Sequence, residues 1–418
     1  MSKLARPLLL LPAAALSVGT APRSHELDST YGFGEYLQHF DKSYPDAAEY
    51  RRREERFSQN MEKILNHNKG RLSDTGAILD GGYVMGVNHL TDQYLDELPF
   101  GYDKTYHSSW SGQLMRGASK IERRLGESTT TSYSQPPDLE MKEVSSLPEL
   151  VDWSAQGHVN PTIPQQGACG SCWTFALTAT VESHLSIATD EPPMSLSEQS
   201  VLQCTPNPDH CGGTGGCKGA TVEIGLNYIA DLTAKKEGGM YNLSDVPYSP
   251  STTLSCEDST EGSTASVGVT GWTQLPTNDY KSVMNALVQK GPVAIAAAAS
   301  DWALYEKGVF SSDDATVNHA ILLVGYGIDE DTGEKYYKIR NSWGPHFGED
   351  GYIRVLRTDE DSTVCNMDND PLVGLACALD DSGNQIDVQP VEVCGASGVL
   401  FDVSYPVGVH KIDVADQS

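Results

Sequence analysis

The chain has 418 residues, with 57 Asp and Glu against 29 Lys and Arg, and a formal net charge of −28 at neutral pH. So acidic a balance argues against a nucleic-acid partner, because phosphates are held by an excess of Lys and Arg. No stretch approaches the ~18 consecutive apolar residues of a spanning helix, so a soluble product with no membrane span is expected.

The first residues read as a signal peptide, taken as 1–20. Lys3 and Arg6 precede Leu8-Leu9-Leu10-Leu11, and small residues follow as far as about Ala21. Farther on, Glu49, Arg53, Phe57, Asn60, Ile64 and Asn68 recur at steps of three and four, which returns them to one face of a long helix. A second pattern, Gly86-x-Asn88-x-Leu90-x-Asp92, follows it. Together they define a segment over 30–100. Residues 101–146 carry Ser108-Ser109, Thr129-Thr130-Thr131 and Pro136-Pro137 without periodicity, and read as a flexible spacer open to proteolysis.

Residues 147–418 are enough for a substantial core, and they hold most of the acid, 37 Asp and Glu against 12 Lys and Arg. Their first half reads helical. Gln166-Gly-Ala-Cys169-Gly-Ser-Cys172-Trp173 opens a helix whose apolar stripe is Leu177, Val181, Leu185 and Ala188. Ser195 with Glu198 suggests a capping box for a helix to about Cys204. The second half begins with a helix over Tyr280–Lys290, broken by Gly291-Pro292. Strands follow around Val293, His319, Ile339 and Tyr352, which makes the fold class α+β.

A thiol attacks a carbonyl well only as thiolate, and a helix N-terminus beside an imidazolium lowers its pKa. Cys172 stands at such a helix start. Its motif resembles that of the papain-like cysteine proteases, whose distant His and Asn complete the site. Val317-Asn318-His319-Ala320 and Asn341-Ser342-Trp343-Gly344 match those two segments. The 49–68 and 86–92 patterns match the inhibitory pro-segment of cathepsin L-like proforms, with Leu90 where Phe is commoner. The resemblance implies a two-lobe fold, a helical N-terminal lobe and a β-barrel-like C-terminal lobe, preceded by a helical pro-segment. Cleavage is expected just before Leu147-Pro148.

By that resemblance Cys172 is the nucleophile, His319 the base, Asn341 the group that orients the ring, and Gln166 an oxyanion donor. Gly219, Ala296, Asn318, Trp343 and Asp402 fall at substrate-binding positions. Asp402 would favour Arg or Lys at the second residue upstream of the scissile bond. The implied activity is that of an endopeptidase made as a zymogen, since no paired-histidine occluding loop is present. Expected partners are protein or peptide substrates and the chain's own pro-segment, and a monomer is expected. No cofactor and no metal are expected: Cys169 and Cys172 have Cys-x-x-Cys spacing, but no second pair accompanies them. The competing reading is a catalytically silent papain-fold binding or storage protein, which would need a replaced nucleophile or histidine.

An odd count of nine cysteines fits one free thiol in a secretory chain bound for a lysosome, a vacuole or the exterior. The resemblance pairs Cys169 with Cys217 and Cys204 with Cys256. Cys211, Cys365, Cys377 and Cys394 allow three pairings, of which the short loop favours Cys365 with Cys377, leaving Cys211 with Cys394. The family's Cys-Asn-Gly-Gly strand here reads Cys217-Lys218-Gly219-Ala220, with a methyl at Ala220 crowding the substrate strand. Thr205-Pro206-Asn207-Pro208-Asp209-His210 is an insertion expected to be a plain surface loop. Phe347 replaces the usual Trp, and Asn242-Leu243-Ser244 is a glycosylation sequon.

Overall fold

The computed structural model describes residues 20–98, 100–101, 139–251, 255–380 and 382–412. Nearly all of the expected signal peptide and residues 102–138 of the spacer lie outside the described residues. The N-terminal region folds as α1 (Phe33–His39), α2 (Ala47–Asn68) and a short strand β1 (Tyr83–Met85). Asp46 caps α2 by accepting from the amides of Ala48 and Glu49. The predicted stripe does its packing here: Phe57 and Ile64 join Phe33, Tyr36 and Met85 in one apolar cluster, each such side chain contributing about 1.5–3 kcal/mol.

The polar positions of the same stripe fix the chain around the helix. Asn60 donates to Thr91 O at 2.7 Å, Asn68 exchanges both side-chain bonds with the backbone of Met85, and Arg53 forks onto Glu97 at 2.6 and 3.0 Å. Asp92 is buried and accepts from Tyr36, Lys42 and Tyr44.

After β2 (Val151–Asp152), the helical lobe comprises α3 (Cys172–Thr189), α4 (Glu198–Cys204), α5 (Val222–Lys235) and α6 (Cys256–Thr260). Leu177, Val181 and Leu185 are buried as expected, but Ala188 is exposed in the last turn. The helix buries 14 of its 18 residues, so it is a core helix enclosed on all sides rather than an amphipathic one. The cap of α4 is Ser197, whose hydroxyl accepts from Ser200 N; Ser195 stands too far upstream to serve.

The second lobe adds β3 (Val267–Gly268), β4 (Gly271–Gln274), α7 (Tyr280–Gln289), β5 (Val293–Ala297), β6 (Tyr305–Phe310), β7 (His319–Ile328), β8 (Lys335–Arg340) and β9 (Tyr352–Leu356). β10 (Cys365–Asp368), β11 (Val391–Cys394), β12 (Val403–Val407) and β13 (His410–Lys411) follow. The main sheet runs β1-β6-β9-β8-β7-β5-β12-β4, with β2 also on β7. The sheet is open: β1 and β4 stand at its two ends, so the barrel-like expectation becomes a coiled sheet without closure. β1, from the N-terminal region, supplies an edge strand by pairing antiparallel with β6.

The disulfides are Cys169–Cys217, Cys204–Cys256, Cys211–Cys377 and Cys365–Cys394. The first two match expectation and the other two overturn it. Antiparallel pairing of β10 with β11 sets Cys365 directly across from Cys394, whereas Cys377 leaves that hairpin and reaches Cys211. Short sequence separation was therefore the wrong guide. The 205–210 insertion is accordingly more than a surface loop: Gly212 N donates to Ala376 O at 3.0 Å and Ala378 N to Asp209 O at 3.1 Å, so a strap from the sheet lobe is stapled to the helical lobe. We expect Cys211→Ser/Cys377→Ser to cost about 2–5 kcal/mol, as for a long closed loop, read as a lower urea midpoint under non-reducing conditions. An unchanged midpoint would show the staple to be energetically idle.

Residues 139–146 are docked rather than loose. Lys142 exchanges backbone bonds with the side chain of Asn285, and Glu140 does the same with Gln289. The last residues of the predicted spacer thus lie along α7.

Candidate active site

Three elements converge on the sulfur. α3 presents Cys172 at its first position, β7 begins at His319, and β8 ends one residue before Asn341. Cys172 is the only free cysteine among the described residues, and Ala320 N donates to its Sγ at 3.4 Å. His319 Nε2 lies 2.8 Å from Asn341 Oδ1, and Asn341 Oδ1 also accepts from Ser342 N, which fixes the carbonyl face of the amide toward the ring. The imidazole's Nδ1 is buried without a hydrogen-bond partner, leaving one nitrogen for proton exchange while the other is held. Trp343 covers the ring at a centroid distance of 4.8 Å, and Phe347 meets Trp343 edge-on at 5.1 Å, so the smaller aromatic still completes that wall.

Gln166 is fully buried in the same region. Its amide donates to Cys169 O at 3.0 Å and its carbonyl accepts from Ser342 Oγ at 2.5 Å, which locks the side chain between the two lobes beside the helix start. Asn318 differs from expectation in detail. Its side chain donates to Ser300 Oγ and accepts from Ala299 N, so only its backbone carbonyl faces the cleft. Ala296 and Asp402 sit together, joined by Ala296 N to Asp402 O at 3.1 Å.

Within the cleft lies the chain's own Phe100-Gly101. Gly101 N donates to Asn318 O at 3.1 Å. A Cβ on Gly101 would stand 2.4 Å from Cys172 Sγ, and one on Gly219 (φ +88°) 1.5 Å from Gly101 O, so both positions need glycine for the two backbones to meet. Ala220 packs into the apolar core of the helical lobe and also lines a cavity beside the cleft. Phe100 packs against His319 and Trp343.

This cover sets the electrostatics. Burial pushes the Cys172 thiol up to about 12, against the opposing pull of the amides of Ala320, Trp173 and Cys172 itself. Burial likewise pushes His319 down to about 4, with the Asn341 bond acting the other way. Both groups are therefore neutral while the segment is in place.

Beside them is a cavity of about 20 Å³, room for a water-sized group, walled by Ala220, Ala296, Asn318, Glu223, Asp402 and Gly374 among others. Three of its features escaped sequence reasoning. Gly374 belongs to the strap and wedges against Val317 O, where a Cβ would lie at 2.4 Å. Phe100-Gly101 stands at the end of the predicted 30–100 segment, a position that could have flagged it. Glu223 follows the Gly219-Ala220 strand by a few residues, and nothing in the sequence distinguishes it from a surface acid at a helix start.

A family profile described as "Papain family cysteine protease" matches residues 147–375. The chain belongs to that family. A second profile, "Cathepsin propeptide inhibitor domain (I29)", matches 33–98. Among relatives, the chain is 31% identical to the probable cysteine protease RDL3 of Arabidopsis thaliana, over 85% of each chain, and 30% identical to cathepsin L1 of Drosophila melanogaster, over 88% of this chain and 90% of that one. Its fold is similar to that of a recombinant stem bromelain precursor, with a TM-score of 0.63 and 26% identity over 90% of this chain and 97% of the other. The protein is thus a papain-family, cathepsin L-like cysteine protease carrying a propeptide inhibitor domain. Among the described residues no helix is long and apolar enough to cross a membrane.

Proposed function

We propose that this papain-family protease is a monomeric endopeptidase held as a zymogen, with Cys172, His319, Asn341 and Gln166 as its catalytic set. The observation that carries this reading is the backbone of Gly101 lying against the Cys172 sulfur between Gly219 and Asn318. A segment in that position takes the place of substrate. Once it leaves, water and substrate restore the polarity that lets thiol and imidazole exchange a proton. The thiolate of Cys172 attacks the peptide carbonyl, and the Gln166 amide with the Cys172 N–H stabilises the oxyanion. His319 then gives its proton to the leaving amine, and water hydrolyses the thioester. Asn341 keeps the ring in register throughout.

The organisation that goes with this reading is a signal peptide over 1–20, an inhibitory pro-segment over 30–100, an activation region over 101–146 and a catalytic unit over 147–418. The propeptide domain and the disulfides support passage through the secretory pathway to a lysosome or vacuole or to the exterior. Gly219, Ala296, the Asn318 carbonyl, Trp343 and Asp402 would receive the substrate.

The test is incubation of the purified proform with reductant at about pH 4.5, below the ordinary histidine range. Its mass and the hydrolysis of a fluorogenic Leu- or Arg-containing peptide are followed together. Hydrolysis that appears as the N-terminal mass is lost is the expected result. Complete processing without hydrolysis would overturn the reading.

A further inference from the structure

The strap has no part in the chemistry above, yet it runs from one wall of the cleft to the other. It leaves β10 through a short helical turn at Pro371–Val373. Two contacts hold it to the sheet lobe: Asp368 Oδ2 accepts from Val317 N at 3.1 Å, and Leu375 packs with Val317, Val393 and Phe401. Its far end is fixed to the helical lobe by the Cys211–Cys377 bridge and by the backbone bonds of Ala376 O and Ala378 N. Between these anchors, Gly374 lines the cavity that Cys172 and His319 share.

The crossing point lies one residue beyond the pair that grips the backbone in the cleft. Gly101, the residue at the sulfur, sits between Gly219 and Asn318. The next residues along the two walls are Ala220 and Val317, and the strap joins them. A Cβ on Gly374 would stand 2.4 Å from Val317 O, and one on Gly212 would stand 3.1 Å from Ala220 C and 3.2 Å from Gly374 O. This is the upstream end of the cleft: Ala296 and Asp402 line the same cavity as Gly374, whereas Trp343 and Phe347 are not among its lining residues. An extended chain advances about 3.4 Å per residue. The walls therefore offer one place between Gly219 and Asn318 and one between Ala220 and Val317, and a third upstream residue would meet backbone anchored on both sides.

Building on the protease reading, we infer that the strap is a stop at the upstream end of the cleft, which limits recognition to the two residues that precede the scissile bond. Residues farther upstream turn out over the strap into water and add little to binding. Internal bonds are still cut, because the substrate chain is bent rather than ended at that point. A peptide with only two upstream residues is bound as well as a longer one. Hydrogen bonds alone would let a longer substrate push the strap aside; the Cys211–Cys377 bond ties it covalently to the helical lobe and holds it against that competition.

The experiment uses enzyme processed from the full-length proform, its disulfides checked by non-reducing peptide mapping. It compares kcat/KM on acetyl-capped fluorogenic peptides with two, three or four upstream residues that share the last two. The wild type should vary within about 3-fold across the series, as for contacts that stay in water. Cys211→Ser/Cys377→Ser should instead favour the longest peptide over the shortest by roughly 10-fold or more, the scale of an apolar side chain newly buried, with the gain expressed mainly in KM. Gly374→Ala keeps the disulfide but drives the strap off Val317 O; it should show the same trend by a smaller factor, and it stands as the second variant should the first fail to fold. A wild type that already gains roughly 10-fold from the third residue would overturn the inference, as would the same length profile in wild type and folded variants, the mark of a merely structural strap. A wild type inactive on every peptide would overturn the protease reading and this inference with it, whereas an active wild type with either of those profiles would sink the inference alone.

Discussion

Replacing Cys172 by alanine abolishes peptide hydrolysis, with kcat/KM falling by at least ~10⁴-fold, because nucleophile and base act as a unit and the residual rate reflects binding alone. A companion measurement reads the sulfur without a substrate. In the covered state the thiol is pushed up to about 12, so at neutral pH almost none of it is thiolate. In the uncovered cleft the helix N-terminus and His319 should bring it into the ~3.5–7.5 range of reactive cysteines. Alkylation of Cys172 by iodoacetamide should therefore be roughly 10³-fold or more slower in the proform than in the processed enzyme. Comparable rates would mean that Phe100-Gly101 does not control the nucleophile, and residual hydrolysis by Cys172→Ala would mean that another group is the nucleophile.

Acid should loosen the N-terminal segment through His89. Burial, then the charges of Lys42 and His346, push this imidazole down to about 4, and its Nδ1 has no hydrogen-bond partner. A histidine whose folded pKa lies below the ordinary value of about 6.5 is held neutral. Its contribution to docking is fully present above that value and is lost as pH falls from about 6.5 through about 4. Glu306, which accepts from the Ser24 amide and hydroxyl across the same contact, is raised by burial and acts in the opposite sense. In the catalytic unit Glu182 and Glu198 are pushed up by burial to about 8 and about 7, so their effect favours the folded unit at acid pH and fades as pH rises through those values. His184 and His319 of the same unit are also pushed down by burial to about 4 and act in the same sense as His89, so acid acts on the cover and on the unit it covers.

The measurement uses the Cys172→Ala proform, which cannot process itself, and follows hydrogen exchange of the 83–92 backbone against pH. Protection should fall between about pH 6.5 and 4, and His89→Leu should move that fall about one pH unit lower. Superimposable profiles would remove His89 from the mechanism.

Several elements were legible in the sequence because their cause is local. The α2 stripe declares itself by steps of three and four, and its apolar residues Phe57 and Ile64 are the ones that pack. Cys172 opens a helix because apolar residues follow it at helical spacing. His319 and Asn341 stand beside strand ends that their own apolar runs define, and the disulfides Cys169–Cys217 and Cys204–Cys256 carried over from the resemblance. Errors were of the opposite kind. The cap of α4 shifted two residues because Ser195 and Ser197 are equivalent candidates until the backbone chooses between them.

By itself, then, the sequence determined the chemistry available: one unpaired thiol of nine, a distant histidine and amide, and a helical segment of pro-domain pattern ahead of them. Tertiary structure alone decided which groups meet across the chain. Register between β10 and β11 set Cys365 opposite Cys394 and sent Cys377 to Cys211, a choice that sequence separation cannot express because pairing follows distance in space. The same holds for Glu223 and Asp402, which are 179 positions apart and acquire their shared burial and mutual repulsion only when α5 and the start of β12 close on one cavity. Desolvation is a property of the assembled surroundings, and it sets the protonation of Cys172, His319, His89 and Glu223 alike.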